Sequence, residues 1–283
     1  MSARIAIVTD STSDLTSDQA ARYGITVVPL NVLFGGEQFQ DGIDLNPAQF
    51  MAKMETSTVL PTTSQPSVGT FEAVFRSLIP THDAIVCITI SSRLSGTHQS
   101  AVLAAEAVKQ DIPVTVIDSL TVSLALGAQA IRLAGMAAAD ESVDEMLATI
   151  AAEAPSYQTV FFVDGLEHLR RGGRIGKAAQ LLGTMLQLRP LLRVEEGQIV
   201  PFERTRTRVR AVAALEQFAS DAGPLDHAYV LYTSEPQDAL ALANRVAKAT
   251  GLAQVPAMQT GPVISAHVGP GMLGITLRVA SDA

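Results

Sequence analysis

Short apolar runs alternate with longer segments of helical pattern through the first half of the chain. The apolar runs cover residues 4–8, 25–33, 84–90 and 114–117, and the helical segments cover residues 15–23, 68–78, 97–109 and 121–139. Strands that alternate with helices in this way form parallel sheets that are covered by the helices. The sequence therefore predicts an N-terminal α/β/α domain with a parallel sheet over residues 1–155.

The pattern changes near Ala154-Pro155-Ser156, where we place a domain boundary. Later strand-like runs cover residues 159–163, 191–195, 198–203, 228–232 and 274–279, and helical segments cover residues 208–219 and 236–250. Glu196-Gly197 between two of these runs is typical of a hairpin. We therefore expect residues 156–283 to form a mixed-sheet α/β domain.

The segment from Ser91 to Thr97 joins a buried strand to an Ala-rich helix and includes Ser95 and Gly96. Such a turn exposes backbone N–H groups at the positive end of the helix dipole. Serine and threonine hydroxyls add hydrogen-bond donors without a formal charge. The segment suits a carboxylate or phosphate at the C-terminal edge of the sheet, and it equally suits an ordinary helix cap.

Three other sites are marked by polar residues or by a stiffened backbone. Asp10-Ser11 follows the first strand, and helix capping is the alternative to a binding role there. Thr63-Ser64 lies between two prolines that stiffen an extended segment. His267 is framed by glycines and prolines within residues 261–271, which is also the setting of a hydrogen-bonded turn histidine.

The basic residues are concentrated in one window, although the formal net charge is −8. Residues 170–210 contain 10 of the 20 Lys+Arg residues and three acidic residues, so this window carries +7 and the remainder carries −15. One cluster of basic residues on an otherwise acidic protein predicts a local anionic ligand or partner. It does not predict a nucleic-acid surface, and the chain has no Trp. The alternative for Arg206–Arg210 is a solvated helix face.

Several classes of protein are excluded by the remaining features. The single cysteine, Cys87, lies in an apolar run, so no disulfide framework forms. Residues 4–8 enter a strand without the pattern of a signal peptide, and no apolar run reaches membrane-spanning length. The histidines lack the spacing of metal ligands. We expect a cytoplasmic protein with no metal and no cofactor.

Six motifs occur in a fixed order along the whole chain. They are Asp10-Ser11-Thr12, Thr63-Ser64-Gln65-Pro66-Ser67, Leu94-Ser95-Gly96-Thr97, Val116-Ile117-Asp118-Ser119, Arg171-Gly172-Gly173-Arg174-Ile175 and His267-Val268-Gly269-Pro270-Gly271. With this ordered set the chain resembles the DegV family, which includes the fatty-acid-binding subunits of bacterial fatty acid kinase.

The resemblance implies a two-domain DegV-like fold with a long-chain fatty acid in a tunnel between the domains. The implied carboxylate ligands are Thr63, Ser95, His267 and Arg204, with Arg206 as the alternative to Arg204. The secondary candidates for the ligand site are Ser64, Gly96, Asp10 and Ser11.

The resemblance also implies that a separate protein performs the chemistry. The chain has no G-x-x-x-x-G-K-[ST] phosphate-binding loop, so an ATP-dependent fatty acid kinase subunit would convert the bound carboxylate into an acyl phosphate. Arg170, Arg171 and Arg174 would dock that partner. Transient contact with a membrane surface would allow lipid exchange.

The hydrocarbon tail would provide most of the affinity. Burial of about 14 methylenes at about 0.8 kcal/mol each gives about 11 kcal/mol before ordering costs. The residues expected to line the tunnel, each of which also suits ordinary core packing, are Leu124, Leu126, Ile131, Leu181, Leu182, Met185, Leu186 and Leu188.

Two other classes of function are compatible with the same residues. In an enzyme, Ser95, His267 and Asp118 would act as nucleophile, base and orienting acid, although no G-x-S-x-G motif is present. A related enzyme hypothesis has His267 bind a small carbonyl covalently, as in dihydroxyacetone kinases, whose fold resembles DegV. The remaining alternative is a regulatory protein that senses lipid.

Overall fold

A computed structural model of the protein describes residues 3–184 and 189–280. The expected tunnel residues Met185, Leu186 and Leu188 lie outside the described residues. The strands are β1 (Ile5–Asp10), β2 (Ile25–Val28), β3 (Asn31–Phe34), β4 (Glu37–Gln40), β5 (Thr62–Ser64), β6 (Ala84–Thr89), β7 (Val114–Asp118), β8 (Tyr157–Phe162), β9 (Arg189–Glu195), β10 (Gln198–Thr205), β11 (Leu225–Tyr232), β12 (Ala257–Gln259) and β13 (Leu273–Val279).

The helices begin where the local sequence supplies a cap. Ser142 and Glu145 form a capping box at the start of one helix, and Asn46 caps another with Pro47 in its first turn. The α-helices are α1 (Ser17–Tyr23), α2 (Pro47–Thr56), α3 (Val68–Leu78), α4 (Thr97–Val108), α5 (Leu124–Ala138), α6 (Val143–Glu153), α7 (Glu167–Arg171), α8 (Arg208–Asp221), α9 (Pro236–Thr250) and α10 (Pro262–Val268).

The predicted parallel sheet is present, with strand order β2-β1-β6-β7. Alternate residues of β6 point to opposite faces, so Val86 packs with Leu133 of α5, while Cys87 packs with Phe75 of α3. Both faces are buried, which explains why the strands read as continuous apolar runs. Cys87 is a buried free thiol.

The predicted strand over residues 25–33 is wrong as a single element. Pro29 cannot donate a ladder hydrogen bond and separates two strands that belong to different sheets. β2 stays in the parallel sheet, whereas β3 pairs with β4 and β5 in a small antiparallel sheet. The hairpin between β3 and β4 turns at Gly35, whose φ of 60° favours glycine.

The predicted mixed sheet is also present, with strand order β10-β9-β8-β13-β11-β12. Its neighbours are antiparallel except β11 and β12, which are parallel. One face packs under α8 and α9 through Leu215, Leu242 and Ile275. Phe161 and Leu231 belong to a second cluster, on the other face.

The two large sheets use separate parts of the chain. The parallel sheet uses strands within residues 5–118, and the mixed sheet uses strands within residues 157–279. A domain boundary between residues 155 and 156 stays a prediction. Among the helices of the described residues, none has both the length and the apolar character needed to cross a membrane.

Candidate functional site

A cavity lies between the two large sheets, and we call it the intersheet cavity. It is a narrow cavity with a volume of about 80 Å³. Its wall includes Leu94 and Val122 from loops that follow β6 and β7, and Phe161 and Leu231 from the mixed sheet. The lining is therefore largely apolar.

Three of the predicted ligand residues meet at this cavity. Thr63, Ser95 and His267 all line it, although they come from β5, the β6–α4 loop and α10. The Oγ1 atom of Thr63 and the Nε2 atom of His267 are hydrogen-bonded at 2.7 Å. Ser95 Oγ is 2.9 Å from the hydroxyl oxygen of Thr97. The structure thus brings hydroxyl and imidazole groups together at one place.

His267 lies in the last turn of α10, where the sequence alone suggested a turn. The helix begins at Gly261 with Pro262 in its first turn and ends at Gly269, whose φ is 76°. Burial, and secondarily the charge of Arg174, lowers the pKa of His267 to about 4. The imidazole is neutral at neutral pH, so it offers a carboxylate a hydrogen bond and no countercharge.

Arg174 also lines the cavity, although the sequence reasoning assigned it to partner docking. Its Nε atom donates to the carbonyl of Leu94 at 2.9 Å, and its Nη1 atom donates to the carbonyl of Gly172 at 2.7 Å. No carboxylate forms an ion pair with Arg174 in the described part of the chain. The guanidinium therefore brings an uncompensated positive charge to the end of the cavity that holds His267.

The other two arginines of the predicted docking set point outward. Arg170 and Arg171 are exposed and both pair with Glu167, at 2.8 Å for Arg170. They are the last two residues of α7, and Gly172 and Gly173 turn the chain between this helix and Arg174. The one motif therefore presents charge to both the surface and the cavity.

Arg204 is not at the cavity, which corrects the contact implied by the resemblance. Arg204 and Arg206 are exposed and line a surface groove beside Arg210 of α8. Arg204 lies near the end of β10, an edge strand of the mixed sheet, where a charged side chain remains solvated. Neither arginine lines the intersheet cavity.

The four secondary candidates do not line the cavity either. Ser64 is exposed opposite Asn31 on β3. Gly96 is the N-cap of α4, and a Cβ built there would lie 2.4 Å from Gln65 Oε1. Asp10 accepts hydrogen bonds from the backbone N–H groups of Thr12 and Ile90. These contacts are structural. Those of Asp10 correspond to the helix-capping role that was the alternative to ligand binding.

Ser11 belongs to a buried polar cluster behind the cavity wall. Its hydroxyl donates to Asp41 at 2.9 Å and accepts from the backbone N–H of Leu30 at 3.0 Å. Asp14 accepts from the hydroxyl of Ser123 and, at 2.8 Å, from the backbone N–H of Gly261. The cluster thereby ties the N-terminal sheet to the first residue before α10.

Asp14 and Asp41 are buried beside each other without a basic partner among the described residues. Both carboxylates face Gly261, because a Cβ built there would lie 2.9 Å from Asp14 Oδ1 and 3.4 Å from Asp41 Oδ1. Burial raises the pKa of Asp14 to about 7 and that of Asp41 to about 8. The sequence reasoning missed Asp41, since Asp41-Gly42 looks like an ordinary hairpin end.

Asp118 does not complete a catalytic triad. Its carboxylate accepts from the backbone N–H groups of Ser92 and Leu120, each at 3.1 Å. The nucleophile–base–acid arrangement that an acyl-transfer enzyme needs is therefore not formed by Ser95, His267 and Asp118.

The expected tunnel residues are mainly core residues. Leu126 and Ile131 pack in the core of the parallel sheet, whereas Leu124 and Leu181 pack in the cluster behind Phe161. Leu182 is exposed. Across residues 3–184 and 189–280, no group of three or more His, Cys, Asp or Glu residues is arranged to hold a metal ion.

Curated relatives are similar to this chain over nearly its whole length. A family model described as an uncharacterised protein of the DegV family matches residues 4–279. DegV domain-containing proteins of Streptomyces coelicolor and Deinococcus radiodurans are 39% and 36% identical, over 98% of this chain and 99% of each relative.

Solved structures match both sheets together. A DegV family protein from Thermus thermophilus, described by its fatty acid binding, is 35% identical, with a TM-score of 0.91 over 98% of this chain and 100% of that one. DegV of Bacillus subtilis, described as a fatty acid binding protein, is 31% identical, with a TM-score of 0.90 over 99% of this chain and 100% of that one. The chain thus belongs to the DegV family.

Proposed function

We propose that this protein binds a long-chain fatty acid in the intersheet cavity. The observation that carries this proposal is an apolar cavity whose lining includes Thr63, Ser95, His267 and Arg174, with Thr63 hydrogen-bonded to His267 and the charge of Arg174 acting on His267. Such a site matches a molecule with one anionic end and a hydrocarbon remainder. The Thermus and Bacillus relatives described as fatty acid binding proteins support this ligand class.

The head group would be held by a mixture of neutral donors and one cation. A buried carboxylate is costly unless it is hydrogen-bonded and paired. Thr63, Ser95 and neutral His267 supply hydrogen bonds, and Arg174 supplies the countercharge, with its guanidinium already held by two backbone carbonyls. A preorganised donor set of this kind orients the carboxylate, while tail burial supplies most of the affinity.

We further propose that the protein is a non-catalytic subunit that presents the carboxylate to an ATP-dependent kinase subunit. In that step a carboxylate oxygen bonds to the γ-phosphorus of ATP, the bond to the bridging oxygen breaks, and ADP leaves with acyl phosphate as the product. Arg170 and Arg171 suit docking because they are exposed at the end of α7, directly before Gly172 and Arg174, which reach the head-group end.

A cytoplasmic location and transient membrane contact complete the proposal, because ATP and membrane lipid are both accessible there. The surface near α8 supports contact with an anionic membrane. Val209 and Phe202 are exposed apolar residues beside Arg204, Arg206 and Arg210. Apolar and basic side chains together favour an anionic lipid surface.

Mass spectrometry of the purified protein tests fatty-acid binding directly. We expect native spectra to show a ligand with the mass of a long-chain fatty acid, which denaturation releases unchanged. Delipidated protein should then bind palmitate, and Ser95→Ala should weaken that binding about tenfold, because one hydrogen bond to a charged group contributes about 1.5–3 kcal/mol.

The matched control is Ser92→Ala, since Ser92 is exposed in the same loop and does not line the cavity. It should bind palmitate as the wild-type protein does. A ligand that remains covalently attached after denaturation would contradict the carrier function and favour an enzyme. Equal palmitate affinity of wild type and Ser95→Ala would remove Ser95 from the site.

The methyl group that Gly172→Ala adds should disturb the head-group site, although Gly172 does not line the cavity. A Cβ built at Gly172 lies 2.2 Å from Nδ1 of His267, so the imidazole must move away from Thr63. We expect palmitate affinity to fall by about tenfold or more. Gly165→Ala is the control, because nothing lies within 4 Å of its added Cβ; equal affinities of the two variants would show that the His267 position is unimportant.

A further inference from the structure

A second depression, the side groove, lies against the intersheet cavity. Its apolar lining includes Leu120, Ala154, Tyr157 and Phe218. Thr159 and Val194 line both the side groove and the cavity. The two spaces are therefore separated at one place by two side chains, neither of which is larger than valine.

These two residues form one cross-strand pair. Thr159 on β8 is the register partner of Val194 on β9, and the hydroxyl of Thr159 bonds to that of Thr276 at 2.9 Å. From Thr159 the strand runs toward α7 and the Arg174 loop, and four residues of strand span about 13 Å. The pair thus lies at least that length of strand away from the segment that leads to Arg174.

The segment after β7 forms a second part of the shared wall. Leu120 lines the side groove, whereas Val122 and Ser123 line the cavity. Leu120 has a φ of 52° and Ser123 a φ of 60°, a region that non-glycine residues rarely occupy. Such backbone conformations concentrate at functional sites, and here they accompany an exposed leucine at the groove.

We propose that the side groove continues the acyl site and receives the methyl end of fatty acids that are too long for the intersheet cavity. This inference rests on the proposed function, because the carboxylate must be held at Thr63 and Ser95. Rotation of Thr159 and Val194 opens the passage for the tail. Each methylene that becomes fully buried there strengthens binding about fourfold.

The test compares palmitic acid with lignoceric acid, a much longer unbranched saturated acid, on the delipidated full chain. Ala154→Phe fills the groove from a residue that does not line the cavity. We expect this variant to weaken the binding of lignoceric acid by about tenfold or more and to keep the affinity for palmitic acid within about twofold of the wild-type value. Ala151→Phe, on the exposed side of α6, is the matched control and should change neither affinity.

Crosslinking locates the tail independently of any variant. Lignoceric acid with a diazirine at its methyl end should label Leu120, Tyr157 or Phe218, and palmitic acid with the same group should label only cavity residues. Failure of lignoceric acid to bind, unchanged affinity in Ala154→Phe, or labelling confined to the cavity would overturn the inference. If palmitic acid still binds in that case, the proposed function stands; if palmitic acid also fails, both fall.

Discussion

Asp41→Asn is expected to weaken the pH dependence of stability. In the wild-type protein the free energy of unfolding should fall as the pH rises from about 4 to about 8, and in the variant it should fall much less. Asp41 is buried, and burial raises its pKa from 3.8 to about 8. The folded protein therefore binds this proton more tightly than the unfolded chain does. The expected slope is at most about 1.4 kcal/mol per pH unit for one carboxyl.

The sign follows from proton binding in the two states. Below pH 3.8 both states hold the proton, and the stabilising contribution of the neutral acid is fully present. Between pH 3.8 and about 8 the unfolded chain loses its proton first, so the free energy of unfolding falls as the pH rises. Above about pH 8 both states are ionised and the contribution is gone.

Asparagine keeps the hydrogen bonds and removes the proton. Its amide oxygen can still accept from Ser11 Oγ, as the carboxyl of Asp41 does, and it has no charge to desolvate. Urea unfolding at a series of pH values measures the slope. Asp14, whose pKa is raised to about 7 by burial, should contribute a similar remaining slope in the Asp41 variant.

Asp18→Asn, at an exposed position of α1, is the control and should keep the wild-type slope. An unchanged slope in Asp41→Asn would show that Asp41 is ionised in the folded protein at neutral pH. Asp14 accepts a hydrogen bond from the backbone N–H of Gly261, the N-cap of α10, so the carboxyl pair lies against the helix that carries His267.

Local patterns were sufficient for most of the fold. The strands of the parallel sheet are buried on both faces, so their apolar runs stand out between amphipathic helices. Pro29 was a visible interruption within residues 25–33, but the pattern could not show that β3 leaves the sheet for a separate one. β12 has three residues and α10 has seven, and the glycines and prolines around α10 resemble those of a turn.

The motifs predicted which residues line the cavity better than they predicted which way an arginine side chain points. Thr63, Ser95 and His267 were predicted as ligand residues because each motif is short and distinctive, and all three line the cavity; their role in binding stays a prediction. Arg174 lines the cavity and Arg204 does not, contrary to the placement that the motifs suggested, since sequence spacing does not reveal which way a side chain points after two glycines or at the end of an edge strand. Asp14 and Asp41 meet through tertiary packing, which no local pattern contains.

Arg174→Gln should separate head-group binding from partner docking. Loss of a charge-assisted hydrogen bond costs about 1.5–3 kcal/mol, so palmitate affinity should fall about 10-fold to 150-fold. Arg171→Gln, in the same motif but at the exposed end of α7, should keep palmitate affinity within about twofold and impair phosphorylation by the kinase subunit. Isothermal titration with palmitate and an acyl-phosphate assay with the partner measure the two effects.

The pKa of His267 supplies a readout that a merely structural role for Arg174 would not move. The Arg174 charge helps to lower that pKa to about 4, so Arg174→Gln should raise it, whereas Arg174→Lys should keep it low. Nuclear magnetic resonance of the imidazole protons measures the change. A charge close enough to bind the carboxylate must also act on the neighbouring imidazole. If Arg174→Gln leaves both the His267 pKa and the palmitate affinity unchanged, the guanidinium therefore lies outside the head-group site.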